Sequence, residues 1–357
     1  MPTSGIIPAL GQEYVPTDEA QVIQEIERIS LDLLRADYQP HTRPAKRDAH
    51  AKHHGCVRAE FTVASDLPEN LQVGVFKEPR SFHAWVRFSN GARYTQSDGK
   101  GDTRGIAIKL LGVAGDKVLD LERQAETQDF TLVNHPVFAI RNAADYLELF
   151  HWREQGEKAI LRFFFPSLNP TRWRLHEFGI SRAINAKKIS SPLEIQYWSM
   201  VPYQLGPQAI KYMVKPRSLA PAIATPPSSP HYLHDAMVSH LAAREAIFDF
   251  FVQVQTDAAQ MSIEDPTLRW DEAQSGFKKV ATLTIPAQSF DSAEQMQFCE
   301  NLSYTPWHAL PAHRPLGGIN RVRKVVYEAS ARFRHDLNDS PRREPTAAEF
   351  LSGQFML

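Results

Sequence analysis

Residues 56–63 read CVRAEFTV, a run in which apolar and polar side chains largely alternate, as in an extended chain with one buried face. Further runs rich in β-branched and aromatic residues follow, separated by clusters of Pro, Gly, Asn and Asp. They are LQVGVF at 71–76, FHAWVRFS at 82–89 and GIAIKLLGV at 105–113. Together they predict antiparallel strands of a sheet or barrel.

Helical and strand patterns continue on both sides of this region. Helical spacing of apolar residues occurs at 19–38, 143–165 and 321–338. Strand patterns resume at 191–206 and 209–216, and a connection with five prolines at 215–230 resists regular structure. The segment SHLAAREAIFDFFVQVQ at 239–255, leading into VATLTIPAQ at 280–288, is typical of a helix followed by a strand. A sheet followed by helices indicates the α+β class.

Composition narrows the class of protein. The 357 residues are 43% hydrophobic and carry 40 basic against 41 acidic side chains, so a strongly basic surface for nucleic acid is not expected. The sequence shows neither the pattern of a signal peptide nor an apolar run long enough to span a membrane. Two cysteines, Cys56 and Cys299, are too few for a disulfide framework, and we expect a reducing, cytoplasmic location.

The stretch KRDAHAKHHGC at 46–56 places three histidines within five residues, next to cationic side chains. Neighbouring positive charge favours neutral imidazole, which can take a proton or bind a metal. A zinc site at His50, His53 and His54 lacks an evident fourth ligand, and the adjacent side chains diverge. A catalytic base at His50 and an ordinary polar loop both remain open on this pattern alone.

A second constellation lies on the last predicted helix. Arg323, Tyr327, Ser330 and Arg334 are offset by four, seven and eleven residues, which brings them within about 60° of one helix face. An arginine beside a phenol favours the phenolate, and a phenolate can hold ferric iron. The alternative is a solvated cationic stripe beside a partly buried tyrosine.

Five segments follow one another along the chain: RDAHAK at 47–52, VRFSNG at 86–91, DTRGIAIKL at 102–110, DFTLVNHPVFAIRN at 129–142 and RVRKVVY at 321–327. Taken in this order, they resemble segments of the haem catalase superfamily. The length and the segment at 301–324 look most like the small catalase-related haem proteins. The resemblance implies a catalase-like antiparallel β-barrel with surrounding helices, organised as an N-terminal arm over residues 1–43 and a single haem domain over 44–357.

The resemblance also assigns site residues. His50 corresponds to the distal histidine that moves a peroxide proton, and Ser89 to the serine that orients it. Tyr327 corresponds to the proximal ligand of haem b iron, and Arg323 to the cation that keeps it a phenolate. The remaining cofactor contacts implied are Phe138 and Tyr146 above the haem, and Arg47, Arg87 and Arg334 at its propionates.

Two positions depart from the catalase pattern. Ala49 stands before the distal histidine, where valine is common. Ungapped alignment puts Val133 at the position of the catalytic distal amide, with Asn134 one residue later, so Asn134 is the catalytic amide only if the chain shifts by one residue.

These departures and the small size favour a haem peroxidase that acts on organic, including fatty acid, hydroperoxides and on H2O2, with weak catalase activity. The expected partners are a peroxide and an organic electron donor, and assembly into a homo-oligomer is left open. The alternatives are a true catalase that disproportionates H2O2 and a haem-binding or sensing protein without turnover.

Overall fold

A computed structural model describes residues 9–353 and Phe355. Its centre is an antiparallel β-sheet that closes on itself. The strands are β1 His53–Val63, β2 Ser81–Asn90, β3 Arg104–Leu111, β4 Thr127–Val133, β5 Tyr197–Trp198, β6 Tyr203–Leu205, β7 Gln208–Pro216, β8 Ala246–Val254 and β9 Lys278–Ile285.

Eight of these strands form a closed barrel. Their order around it is β5-β4-β3-β2-β1-β9-β8-β7, and pairing of Tyr197 with Val214 joins β5 to β7 and completes the ring. Strand β6 pairs with the first residues of β7 as a short hairpin, on the same edge of β7 as β5. Closure leaves the eight strands without a free edge, and it confirms the predicted antiparallel barrel within the α+β class.

The two faces of the barrel differ in chemistry. Alternate residues of β2, β3 and β4, such as Phe88, Ile108 and Phe130, point inward and join one apolar cluster with residues of the other strands. The residues between them point outward. On β2 to β4 these outward residues include Arg87, Lys109 and Asp129, which are nevertheless buried, because other segments cover this side.

Helices surround the barrel and, with the loops, cover the outer face of β2 to β4. They are α1 Glu19–Asp37, α2 Ala143–Glu154, α3 Leu161–Phe164, α4 Leu175–Ala186, α5 Tyr232–Ala243, α6 Ala293–Asn301, α7 Gly318–Leu337 and α8 Ala347–Ser352. Short 3-10 turns lie between them at Pro40–Thr42, Glu69–Leu71, Gly74–Phe76, Asp120–Glu122, Glu157–Ile160, Pro170–Arg172, Pro192–Glu194 and Pro311–His313. None of the helices in the described part of the chain is both long and apolar enough to cross a membrane.

The amphipathic segment predicted at the N-terminus is confirmed as helix α1. Its buried face, with Ile26 and Ile29, packs against Phe150 of α2 and Val322 of α7. Residues 1–8 of the predicted arm, and residues 354, 356 and 357 of the predicted haem domain, lie outside the described residues. The division into an arm and a single haem domain stays a prediction.

The strand predicted at 71–76 is wrong. LQVGVF forms two 3-10 turns, Glu69–Leu71 and Gly74–Phe76. Gly74 has φ +58°, and a side chain there would collide with His313, so the chain turns where the apolar pattern suggested extension.

Other predicted segments are placed more finely by the structure. The change from helix to strand occurs within 239–255, because α5 ends at Ala243 and β8 begins at Ala246. The proline-rich connection lies between β7 and α5 with no helix or strand. Helices α4, α6 and α8 have no counterpart among the predicted elements.

Candidate active site

The candidate site lies on the outer face of β1 to β4. The register aligns Ser89, Gly105 and Val133 in one row across β2, β3 and β4. Two residues along, Arg87, Ala107 and Thr131 form the next row. Directly opposite residues share a face of a sheet, so both rows point to the side that helix α7 contacts.

His50 lies over the first of these rows. Its Nδ1 is 3.0 Å from Oγ of Ser89. A Cβ atom at Gly105 would come within 2.7 Å of the imidazole ring, so the ring rests directly on the backbone of that glycine. The structure thus brings His50 and Ser89 together, and Gly105 supplies the space they occupy.

The backbone at His50 is in an unusual conformation. Its φ is +61°, in the left-handed region that residues other than glycine rarely adopt. Its N–H donates to the carbonyl of Gly91 at 3.1 Å, and its carbonyl accepts from Nη2 of Arg87 at 2.8 Å. Such strained residues are concentrated at functional sites.

The electrostatic surroundings keep the His50 imidazole neutral. Burial, with the positive charges of Arg87 and Arg323, lowers the pKa of His50 to about 3. A neutral ring at physiological pH can accept a proton, as a general base must.

Val133, rather than Asn134, is in register with Gly105. Asn134 lies one residue beyond the end of β4, where its Oδ1 accepts from the backbone N–H of Arg104 at 2.8 Å. Its side-chain nitrogen is buried and has no hydrogen-bond partner within the described residues. The row that carries Ser89 therefore presents a valine where the aligned catalase pattern has an amide, and an unpaired amide nitrogen lies just beyond it.

Helix α7 holds the second half of the site. Nε and Nη2 of Arg323 lie 3.3 and 3.2 Å from the phenol oxygen of Tyr327, one turn further along. The same guanidinium donates to Oγ1 of Thr131 at 2.8 Å and to Oδ1 of Asn320 at 3.1 Å. Burial opposes its charge, but the phenol oxygens of Tyr327 and Tyr203 outweigh burial and raise the pKa of Arg323.

Two aromatic residues lie near this pair. The rings of Phe138 and Tyr146 contact edge to face, with centroids 5.8 Å apart. Burial raises the pKa of Tyr146 to about 12, and Tyr327 is close enough to contribute to that rise. Tyr146 is therefore a neutral phenol beside the predicted iron ligand.

Arg47, Arg87 and Arg334 gather beside the end of α6. Arg47 pairs with Glu300 at 3.0 Å, while Arg334 donates to the carbonyls of Glu300 and Leu302. Burial and the other cations lower the pKa of Arg87 and of Arg334. Nε of Arg87 is buried with no hydrogen-bond partner in the described chain.

The residues present fit a haem group. Among the ion pairs of the described chain, Arg47 pairs with the carboxylate of Glu300, whereas Arg87 and Arg334 have no carboxylate partner; this excess positive charge suits the two propionates of haem. A phenol held by a cation suits ferric iron, and a neutral imidazole suits peroxide. The side-chain hydroxyl of Ser330, on the predicted face of α7, is buried without a partner in the described region.

Sequence reasoning missed several residues of this site. Gly105 was visible only as part of the DTRGIAIKL segment, and its role depends on the strand register. Thr131 was visible only as part of the DFTLVNHPVFAIRN segment, and only the packing of α7 on β4 shows that it binds Arg323.

Comparison with solved structures identifies the fold. A fungal catalase aligns with a TM-score of 0.66 and 17% identity, over 85% of this chain and 61% of its own. Catalase A from Saccharomyces cerevisiae aligns with a TM-score of 0.66 and 15% identity, over 94% of this chain and 70% of that catalase. A bacterial catalase aligns with a TM-score of 0.64 and 15% identity, over 97% of this chain and 67% of that catalase. No family model and no curated protein matches the sequence.

These comparisons establish the catalase fold. The chain spans between 61 and 70% of the length of these catalases.

Proposed function

We propose that this chain, which has the catalase fold, is a haem b-dependent peroxidase that cleaves organic hydroperoxides, fatty acid hydroperoxides among them, as well as H2O2. The observation that carries the proposal is that two groups of residues, one around His50 and one around Tyr327, lie on the same face of the barrel. A neutral histidine rests on Gly105 beside Ser89, and a phenol is held by Arg323 on the helix that covers the same barrel face. The proposed co-substrate is an organic electron donor.

His50 is the proposed acid and base. In the tautomer in which Nδ1–H donates to Oγ of Ser89, Nε2 keeps the lone pair that can take a proton from one peroxide oxygen and return it to the other. Because its pKa is about 3, His50 begins the cycle unprotonated across the physiological range. Gly105 and Ser89 fix the ring, so the proton is taken at one position.

Tyr327 is the proposed iron ligand. The Arg323 guanidinium, itself held by Thr131 and Asn320, stabilises negative charge on the phenol oxygen. Haem, when bound, would supply a redox-active iron and porphyrin ring for the two-electron chemistry of peroxide cleavage. The proposed anchors for its carboxylates are Arg47, Arg87 and Arg334.

The preference for organic hydroperoxides rests on Val133. An amide at this position would help to place a second H2O2 for the oxygen-releasing step, whereas valine offers no hydrogen bond. A valine side chain also suits an alkyl group better than water. We therefore expect H2O2 disproportionation to be weak relative to turnover with an organic hydroperoxide and a donor.

The test compares the purified, haem-loaded protein with His50→Ala. Consumption of cumene hydroperoxide and of H2O2 is followed with and without a phenolic donor. We expect donor-dependent turnover of the organic hydroperoxide to exceed H2O2 disproportionation. His50→Ala is expected to lower that turnover by roughly 10²–10⁴-fold, the usual contribution of an acid-base group.

Two outcomes would contradict the proposal in different ways. Rapid oxygen release from H2O2 alone would identify a catalase. Equal peroxide consumption by wild type and His50→Ala, with haem retained in both, would identify a haem-binding protein without turnover.

A true catalase is the second candidate, and Asn134 favours it. Its unpaired side-chain nitrogen is buried, 3% exposed, one residue from the valine. A small shift of the chain after β4 would bring this donor toward the peroxide. In that case Asn134→Leu would abolish oxygen release from H2O2 and spare turnover with the organic substrate and donor.

A further inference from the structure

The only two cysteines of the chain lie against one another. Cys56 is on β1, opposite Arg87 in the register with β2, and Cys299 is on α6. Both side chains are 0% exposed and belong to one buried cluster with Trp85 and Phe298, and the two thiols are close enough to interact electrostatically. Nε2 of Gln295 donates to the carbonyl of Cys56 at 2.7 Å and so fixes α6 on β1. Residues 243 positions apart are thus held together by the packing of a helix on a strand.

His53 and Glu300 flank the Cys299 thiol. Nε2 of His53 is 3.4 Å from Oε2 of Glu300, and the imidazole is close enough to Cys299 for the two groups to interact electrostatically. Nδ1 of His53 is buried and makes no hydrogen bond within the described residues. Burial opposes protonation of this ring, but Cys299 and Glu300 outweigh burial and raise the pKa of His53. A cationic imidazole beside a thiol favours the thiolate.

The two thiols differ in environment. Burial alone would raise both pKa values, and it raises that of Cys56 well above its usual value. For Cys299, the interaction with the Cys56 thiol, with the charges of His53 and Arg87, outweighs burial and lowers the pKa well below its usual value. Cys56 also lies 3.5 Å from the phenol oxygen of Tyr304. Cys299 is therefore suited to be the attacking thiolate and Cys56 the thiol that follows.

The pair lies close to the candidate peroxide site. Arg87, next to the thiols, also donates to the carbonyl of His50 at 2.8 Å. Full burial excludes bulky oxidants, whereas H2O2 is little larger than water. The expected oxidant is therefore H2O2 rather than an alkyl hydroperoxide.

We propose that Cys299 and Cys56 form a second redox centre, a dithiol that H2O2 oxidises to a disulfide joining α6 to β1. The Cys299 thiolate attacks one peroxide oxygen, the O–O bond breaks, and the departing hydroxide takes a proton from His53 to become water. The sulfur, oxidised by two electrons, is then a sulfenic acid. Cys56 attacks this sulfur, and the hydroxyl group leaves with the Cys56 proton as a second water. The centre needs no haem, so it does not depend on the proposed peroxidase activity.

The test uses the full-length protein, reduced, freed of reductant and exposed to H2O2. Free thiols are blocked on denaturation, and the products are identified by mass spectrometry. The same treatment of Tyr327→Phe separates the dithiol from any peroxide consumption at the haem site. In both proteins we expect a mass lower by two hydrogen atoms and a linked pair of peptides that contain Cys56 and Cys299.

Single variants assign the two roles. Cys56→Ser should stop at a sulfenic acid on Cys299 that dimedone traps, while Cys299→Ser should leave Cys56 a free thiol. His53→Gln should slow oxidation by roughly tenfold or more, because an unassisted cysteine is only a few per cent thiolate at neutral pH. Persistence of both free thiols in wild type and Tyr327→Phe after excess H2O2 would overturn the proposal. Sulfenic acid on Cys56 rather than Cys299 would overturn the assigned roles.

Discussion

Gly105 shows how one missing side chain positions the candidate base. Its neighbours in the register, Ser89 and Val133, carry side chains on the face where the His50 ring lies. At Gly105 the ring takes the place that a Cβ would occupy. The proposed roles of His50 and Ser89 were predicted from the order of motifs, and the structure places the two side chains 3.0 Å apart. The need for glycine could not be predicted, because it follows from a contact between a loop and a strand.

Gly105→Ala is expected to displace the His50 ring and lower peroxide turnover by roughly 10²-fold, as a shift of about 1 Å can do. Haem content should be retained. Gly179→Ala is the matched control, because a Cβ there meets nothing within 4 Å. Unchanged turnover in Gly105→Ala, measured with an organic hydroperoxide, would show that the ring is not held as described.

The second prediction concerns a single residue, Val133. Val133→Asn places an amide on the row with Ser89 and Gly105 at nearly constant volume. Oxygen release from H2O2, followed with an oxygen electrode, is expected to rise by about tenfold or more. The reason is that one well-positioned hydrogen-bond donor in an active site can change a rate by that much or more. No rise, with haem and fold intact, would mean that the valine does not limit the catalase reaction.

Helix α7 is the element that joins the two halves of the site. Its sequence predicted one face carrying Arg323, Tyr327 and Arg334, and the structure confirms the helix. Its partner was not predictable from its own pattern, because Thr131 lies far away in the sequence, on strand β4 of the barrel wall. In the segment at 71–76, a contact with a distant residue likewise decides the structure, this time against the local pattern. Its apolar residues are buried as a strand's would be, but contact between Gly74 and His313 requires a turn.

Thr131→Val removes the hydroxyl that accepts from Arg323 and keeps the shape of the side chain. A hydrogen bond to a charged group contributes roughly 1.5–3 kcal/mol, so the free energy of unfolding should fall by about that amount. The visible spectrum of the haem-loaded protein should also shift, because Arg323 then holds Tyr327 less firmly. Thr284→Val on β9 is the control, and equal urea unfolding of the two variants would contradict the described link.

The stability of the whole molecule depends in part on buried histidines that are neutral in the folded state. His54 and His313 are both 0% exposed, and burial lowers the pKa of each to about 3. His313 accepts from the backbone N–H of Val75 at 2.9 Å, where a protonated ring could not. These histidines are spread across the barrel and its loops, so their burial follows from the complete fold rather than from local sequence.

Stability should therefore fall as the solution is acidified. An unfolded histidine has a pKa near 6.5, so below that pH the unfolded chain binds protons that the folded protein excludes. The contribution of each buried neutral histidine to the free energy of unfolding is fully present above about pH 6.5 and is lost as the pH falls toward 3. At pH 5 each such histidine should lower the free energy of unfolding by roughly 2 kcal/mol. Urea unfolding at pH 7, 6 and 5 measures this, and equal stability at pH 7 and 5 would contradict it.

The central claim is that Tyr327 and His50 face a haem group on the outer wall of the barrel. The most direct measurement is the absorption spectrum of the protein, purified after expression with a haem precursor, alongside Tyr327→Phe. We expect a Soret band with about one haem per chain and a ferric spectrum of the tyrosinate-ligated type, which Tyr327→Phe alters or abolishes. No Soret band after haem supplementation, or the same spectrum in both proteins, would contradict the account.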